Sequence, residues 1–220
     1  MSKQLKYGIM ICVALALTVG VYIKYNAKNQ NNVTEEESSP EVVDDRRELL
    51  ESKLKNAEDT IAKNVTDTDF AEEYTKKGEA LYDLGRTIEA REAFMKTLEY
   101  DANSAGAYLN LSNLDADAGN MDAARQNIKK YVDTNSDSVS RWEKYIEFSK
   151  NRLGANGETL NGIYVEGLVA TKNHIRMIVA YAKFLEEEGD NQLAKEFWQQ
   201  AVVKDPENKA AYEEEIKKLQ

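Results

Sequence analysis

The 220-residue sequence contains one cysteine, one histidine and two prolines, and each scarcity excludes a class of site or fold. The single cysteine, Cys12, excludes an intrachain disulfide and a metal site built from cysteines. His174 is the only histidine, so the nucleophile and base pairs of common hydrolases are missing. The sequence also lacks a phosphate-binding Gly-Lys-Ser/Thr loop and a Gly-x-Ser-x-Gly elbow. We therefore predict no enzyme activity, no catalytic residues, no cofactor and no metal site.

Positive charge is also scarce, with 29 Lys and Arg residues against 39 Asp and Glu residues and a net charge of −10. Affinity for nucleic acid comes largely from cations placed against phosphates, so nucleic acid is excluded as a partner. The low proline content, together with 42% hydrophobic and 31% charged residues, is typical of helical structure rather than a β-sandwich or barrel.

One long uncharged run is present, at residues 7–23, between Lys6 and Lys24. As a helix it would span roughly 25 Å, the short end of what a bilayer core requires. Tyr7 and Tyr22 occupy the positions of interfacial aromatic residues. A cleaved signal peptide is the alternative, but the run does not end in small residues of the Ala-x-Ala kind. We favour an uncleaved transmembrane signal anchor.

The lysines on the two sides of this run give a weak orientation signal. The α-amino group, Lys3 and Lys6 lie before it, and Lys24 and Lys28 lie after it. The small excess before the run favours a short cytoplasmic N-terminus at residues 1–6. The sequence therefore predicts a single-pass membrane protein whose remaining chain is extracytoplasmic, on the periplasmic or cell-surface side of a bacterium.

Two segments follow the predicted span. Residues 24–40 are polar and rich in Asn and Glu, which predicts a disordered tether. Residues 41–64 form a predicted amphipathic helix, because Leu50, Leu54, Ala57 and their neighbours recur at spacings of three and four. This apolar stripe could pack on the following domain or form a short coiled coil, and we favour packing on the domain.

Self-similarity at a spacing of 34 residues dominates the rest of the sequence. A glycine, an alanine and a large apolar residue recur in register, first as Gly85, Ala90 and Phe94 and then as Gly119, Ala124 and Ile128. The repeat units run over 71–104, 105–138, 139–174 and 175–208, together 71–208, with a final helix at 209–220. The third unit is two residues longer than the others and departs most from the pattern, with Leu160 at a position that is small elsewhere.

The repeated positions resemble the tetratricopeptide repeat family, whose unit is a helical hairpin of this length. Ala194 and Ala201, on either side of Trp198, stand at the small positions of such a hairpin. The resemblance implies an all-α fold: a right-handed α-solenoid of about four hairpins plus a capping helix, preceded here by the N-terminal transmembrane helix.

The same resemblance implies a binding function rather than catalysis. We expect a membrane-anchored adaptor or scaffold that binds a protein or peptide partner, with a role in envelope assembly, secretion or pilus biogenesis. The alternative is a structural protein that assembles into homo-oligomers at a membrane. In the family, the first helices of successive hairpins line a groove. The groove candidates by register are Tyr82, Asn110, Asn113, Asp117, Lys144, Lys150, Arg176 and Lys183.

Overall fold

The computed structural model describes residues 40–63 and 69–219 of the chain. The predicted membrane span at residues 7–23 lies outside these residues, as does the tether apart from Pro40. Across the described ranges the regular structure is helical, with no strand. In the same ranges, no helix has the length and apolar character needed to cross a membrane. The chain divides into two units between Ser52 and Lys53, inside the first described helix.

The helices form four consecutive hairpins, preceded and followed by a single helix. The first helix, α1, spans Pro40–Lys63, and its start at Pro40 is one residue earlier than the sequence predicted. The hairpins comprise α2 (Phe70–Asp83) and α3 (Thr87–Tyr100), α4 (Ala105–Asp117) and α5 (Met121–Asp133), α6 (Val139–Asn151) and α7 (Gly157–Ala170), and α8 (Ile175–Glu187) and α9 (Asn191–Lys204). A 3₁₀ turn at Pro206–Asn208 leads into α10 (Lys209–Lys218).

Glycines end the first helix in three of the four hairpins. Gly85, Gly119 and Gly189 adopt φ values of +76°, +77° and +83°. Residues with a side chain rarely adopt this left-handed conformation, so glycine allows the chain to reverse within three residues. The third hairpin differs, because α6 ends at Asn151 and α7 begins only at Gly157, with Gly154 at φ +61° between them. The two additional residues of this hairpin therefore lie in its turn.

The hairpins pack closely through small residues on their second helices. Ala194 and Ala201 are completely buried on α9, and Trp198 between them is 1% exposed. The indole of Trp198 stacks on Tyr212 of α10 with ring centroids 5.7 Å apart, and its Nε1 donates a hydrogen bond to Glu186 of α8. Alanines thus let neighbouring helices approach while the tryptophan fills the remaining space.

Single helices cover both ends of the hairpin stack. Leu54, in the second half of α1, belongs to the apolar cluster that contains Leu81 and Phe94 of the first hairpin. Glu58 of the same helix forms an ion pair with Lys77 of α2 at 2.8 Å. At the other end, Tyr212 and Ile216 of α10 pack against the core of the last hairpins. Residues 53–63 and α10 therefore shield apolar surface that an open stack would expose.

Candidate functional site on the first-helix face

The candidate site is the surface formed by α2, α4, α6 and α8, here called the first-helix face. Seven of the eight predicted groove residues lie in the interior of these helices, and Asp117 is the last residue of α4. Hairpin stacking brings equivalent positions of neighbouring first helices together. The dominant feature of the face is a set of polar contacts between successive hairpins.

Asp117 joins three hairpins. Its carboxylate accepts a hydrogen bond from the Tyr82 hydroxyl of the first hairpin and another from the Arg152 guanidinium of the third. Burial and, after it, the hydrogen bond to Asp117 raise the pKa of Tyr82 to about 12. The phenol therefore stays protonated and remains a donor to Asp117 across the neutral range.

Two ion pairs join the third and fourth hairpins. Arg176, near the start of α8, pairs with Glu143 of α6. Lys150, near the end of α6, pairs with Glu187 of α8 at 2.8 Å. The two contacts lie at opposite ends of the same helix pair, so α6 and α8 are joined near both of their ends.

The remaining candidates fall into two groups. Asn110 donates a long hydrogen bond of 3.4 Å to Glu79 of the preceding hairpin, and Lys144 pairs with Glu147 within its own helix at 3.0 Å. Asn113, which is half-buried, and Lys183, which is exposed, make no side-chain hydrogen bond or ion pair with other residues that the structure describes. Among the eight candidates, these are the two side chains whose polar groups have no partner within the described residues.

The structure thus gives most of the predicted groove residues a role inside the chain. Six of the eight contact another side chain, and five of those contacts cross from one hairpin to the next. The partners missing from the predicted set of eight are Glu79, Glu143, Arg152 and Glu187. The sequence did contain a signal for them, since the cross-hairpin partners are separated by 31 to 37 residues, close to the repeat length. Exposed ion pairs of this kind contribute little individually, about 0–1 kcal/mol each, but the contacts join each hairpin to the next across the face.

A stack of helical hairpins in which each contacts the next defines an α-solenoid, and comparison with known proteins specifies which kind. Residues 71–104 match the sequence model of the tetratricopeptide repeat. These are the residues of the first hairpin, from α2 to the turn that follows α3. The first hairpin is therefore similar in sequence to a tetratricopeptide repeat.

Solved structures extend the likeness to most of the chain. The C-terminal part of a TPR repeat-containing protein from Cytophaga hutchinsonii is 17% identical, with a TM-score of 0.55, and the match covers 93% of this chain and 79% of that one. The crystal structure of MamA is 16% identical, with a TM-score of 0.50, covering 77% of this chain and 96% of that one. No curated protein matches the chain in sequence. At these identities the comparison shows a shared fold, that of proteins built from tetratricopeptide repeats, which mediate protein–protein interactions.

Proposed function

We propose that this protein is a membrane-anchored adaptor that binds a protein or peptide on its first-helix face. The observation that carries the proposal is the cross-hairpin contact network around Asp117, Glu143 and Glu187. A surface held in one geometry before binding loses little conformational entropy when a partner docks. The unused polar groups of Asn113 and Lys183 supply donors and an acceptor to such a partner.

The anchor is part of the same proposal and rests on the sequence. Residues 7–23 carry no charge, and the polar stretch after them is long enough to hold the hairpins away from a bilayer. Confinement to a membrane raises the local concentration of the hairpins near other membrane proteins, which strengthens a weak contact without new interactions. A bacterial envelope assembly, secretion or pilus factor, with the hairpins outside the cytoplasm, fits this arrangement.

Capture experiments with variants that add negative charge test the binding face. The variant Lys183→Glu with Asn113→Asp changes the two groove candidates whose polar side chains have no partner within the described residues. Lys195→Glu is the matched control, because Lys195 lies on α9, the second helix of the same hairpin as Lys183. We expect the double variant to bind partners captured by the wild type about tenfold more weakly, equivalent to about 1.4 kcal/mol, and the control to bind normally. Equal affinity of all three proteins would contradict this binding face.

Protease protection tests the anchor and its orientation. Protease added outside intact spheroplasts should digest the hairpins of a chain anchored through residues 7–23, while a chain truncated before Pro40 should leave the membrane fraction. Hairpins that resist external protease and become sensitive only after lysis would contradict the proposed orientation.

A further inference from the structure

A polar pocket lies in the third hairpin, apart from the contacts described above. It has a volume of about 230 Å³ and is bounded by α5, α6, the 152–156 turn and α7. Its lining includes Arg125, Tyr145, Ser149, Asn156, Thr159 and Ile163. The pocket occurs where the chain departs from the regular repeat, because the longer turn after α6 forms one of its walls. A single water occupies about 30 Å³ in the liquid, so the pocket has room for a larger group.

Ser149 is the side chain in this pocket that requires an external partner. It is 1% exposed, and its Oγ forms no hydrogen bond with any residue that the structure describes. A helical serine commonly donates to the carbonyl four residues earlier, here that of Tyr145, yet this bond is not made. The Ser149 carbonyl, by contrast, accepts a hydrogen bond from Ala155 of the turn at 2.9 Å. A buried hydroxyl without a partner destabilises a fold, so this group indicates an occupant.

Two further polar side chains that line the pocket, Tyr145 and Arg125, have O–H or N–H groups available to donate. The Tyr145 hydroxyl makes no hydrogen bond within residues 40–63 and 69–219. Burial and, secondarily, the Glu166 carboxylate raise the pKa of Tyr145, so its hydroxyl keeps its proton. Arg125 stands at the rim, half-exposed, and uses Nη1 for an ion pair with Asp122 at 2.8 Å. Asp122 is almost fully exposed, so this pair is weak and leaves the other N–H groups of Arg125 available.

We propose that this pocket binds a carboxylate group carried on a short apolar stem. Ser149 and Tyr145 donate hydroxyl hydrogens to the carboxylate oxygens, Arg125 supplies the positive charge at the rim, and Ile163 contacts the stem. A carboxylate fits because it accepts several hydrogen bonds and donates none, whereas the pocket presents unpartnered hydroxyl donors beside a guanidinium. The carboxylate can come from a free dicarboxylic acid or from the C-terminus of a peptide. The peptide would also contact residues around the pocket through its backbone.

Calorimetric titration of the full-length chain tests the site. The probes are glutarate, the neutral glutaramide, and the peptide acetyl-Ala-Ala-Val with a free or an amidated C-terminus. We expect a charged probe to bind with a Kd of about 1 mM or tighter and its amide to bind at least about tenfold more weakly. Tighter binding of the free peptide than of glutarate would identify a protein terminus as the source, and the reverse order a small acid.

Variants assign the binding to the pocket. Ser149→Ala and Arg125→Gln should each weaken the charged probe about tenfold, because each removes a donor to a charged group. Arg46→Gln, on α1, is the matched control and should leave the titration unchanged. The site is independent of the proposed adaptor function: Lys183→Glu should not alter glutarate binding, and Ser149→Ala should not alter partner capture.

Three results would overturn the proposal. These are no heat with any charged probe up to about 10 mM, equal binding of glutarate and glutaramide, and undiminished binding by folded Ser149→Ala and Arg125→Gln. The first, combined with a higher Tm for Ser149→Ala, would show that the Ser149 hydroxyl has no partner in the folded protein and that the pocket holds no ligand. Far-UV circular dichroism of each variant checks that it folds.

Discussion

Two glycines in helices show how one residue type has opposite roles in this chain. A Cβ added to Gly78 of α2 would lie 2.5 Å from the ring of Phe94 on α3, whereas a Cβ added to Gly162 of α7 would have nothing within 4 Å. Gly78 is therefore required for the close packing of the first hairpin. Gly162 has no such packing role. It destabilises α7, because glycine loses more conformational entropy than alanine when a helix forms.

Alanine substitution should separate these roles. Gly78→Ala should destabilise the protein by about 1–2 kcal/mol, because overpacking against Phe94 outweighs the helix preference of alanine. Gly162→Ala should stabilise it by about 0.5–1 kcal/mol. Urea denaturation measures both. A gain in stability for Gly78→Ala would show that Phe94 can move aside without cost.

At the scale of helices, α7 and α8 pack through aromatic rings. Tyr164 of α7 stacks on Phe184 of α8 with ring centroids 4.8 Å apart, and Tyr181 of α8 lies 5.5 Å from it. Burial and, secondarily, the charge of Glu187 raise the pKa of Tyr164 to about 12. These rings pack the third hairpin, where large residues such as Leu160 replace the small ones of the regular repeat, against the fourth.

The raised pKa of Tyr164 predicts a loss of stability at alkaline pH. Since the phenol ionises near pH 10 in the unfolded chain, the folded state binds this proton more tightly. The stabilisation that comes from this more tightly held proton is complete below about pH 10 and is lost between about pH 10 and pH 12. Tyr164→Phe should match the wild type at pH 7 and exceed it in Tm at pH 11. Tyr100→Phe, which removes a more exposed hydroxyl, is the control; identical pH profiles for all three proteins would contradict the prediction.

A buried carboxylate connects hairpins at the scale of the whole solenoid. Asp115 of α4 is 2% exposed, and it accepts hydrogen bonds from Arg91 of α3 at 2.6 Å and from Asn127 of α5 at 2.8 Å. It therefore links the second helix of one hairpin to both helices of the next. In a repeat protein, stability depends on such nearest-neighbour interfaces as well as on each hairpin.

Removing the Arg91 guanidinium should destabilise the first hairpin more than the last. Arg91→Gln leaves Asp115 buried without its charge partner, and we expect a loss of about 1–3 kcal/mol, less than for a fully buried pair because Arg91 is partly exposed. Hydrogen exchange should increase more in α2 and α3 than in α8 and α9. Lys96→Gln, which breaks an exposed pair with Glu99, should change stability little. Uniform loosening of all four hairpins would contradict a local interface.

The hairpins could be predicted from the sequence because each depends on local chemistry. Gly85, Gly119 and Gly189 end helices where glycine adopts the required φ most readily, and Ala194 and Ala201 mark close helix contacts. The side-chain partners could not be predicted in the same way. The contact between Lys150 and Glu187 depends on side-chain rotamers and on the rotation between hairpins, neither of which a 34-residue register specifies. The unpartnered hydroxyl of Ser149 lines a pocket beside the 152–156 turn, whose path the repeat register does not specify either.

The contacts of Asp117 also fix the order of the hairpins. Its carboxylate lies between the Tyr82 hydroxyl and the Arg152 guanidinium, so the second hairpin supplies an acceptor that both neighbours need. A chain with residues 105–138 excised would keep the helical register yet bring Tyr82 and Arg152 together without their shared acceptor. The four hairpins are therefore not interchangeable modules. Deleting, duplicating or permuting them should yield proteins that remain helical but lose the spacing of the first helices.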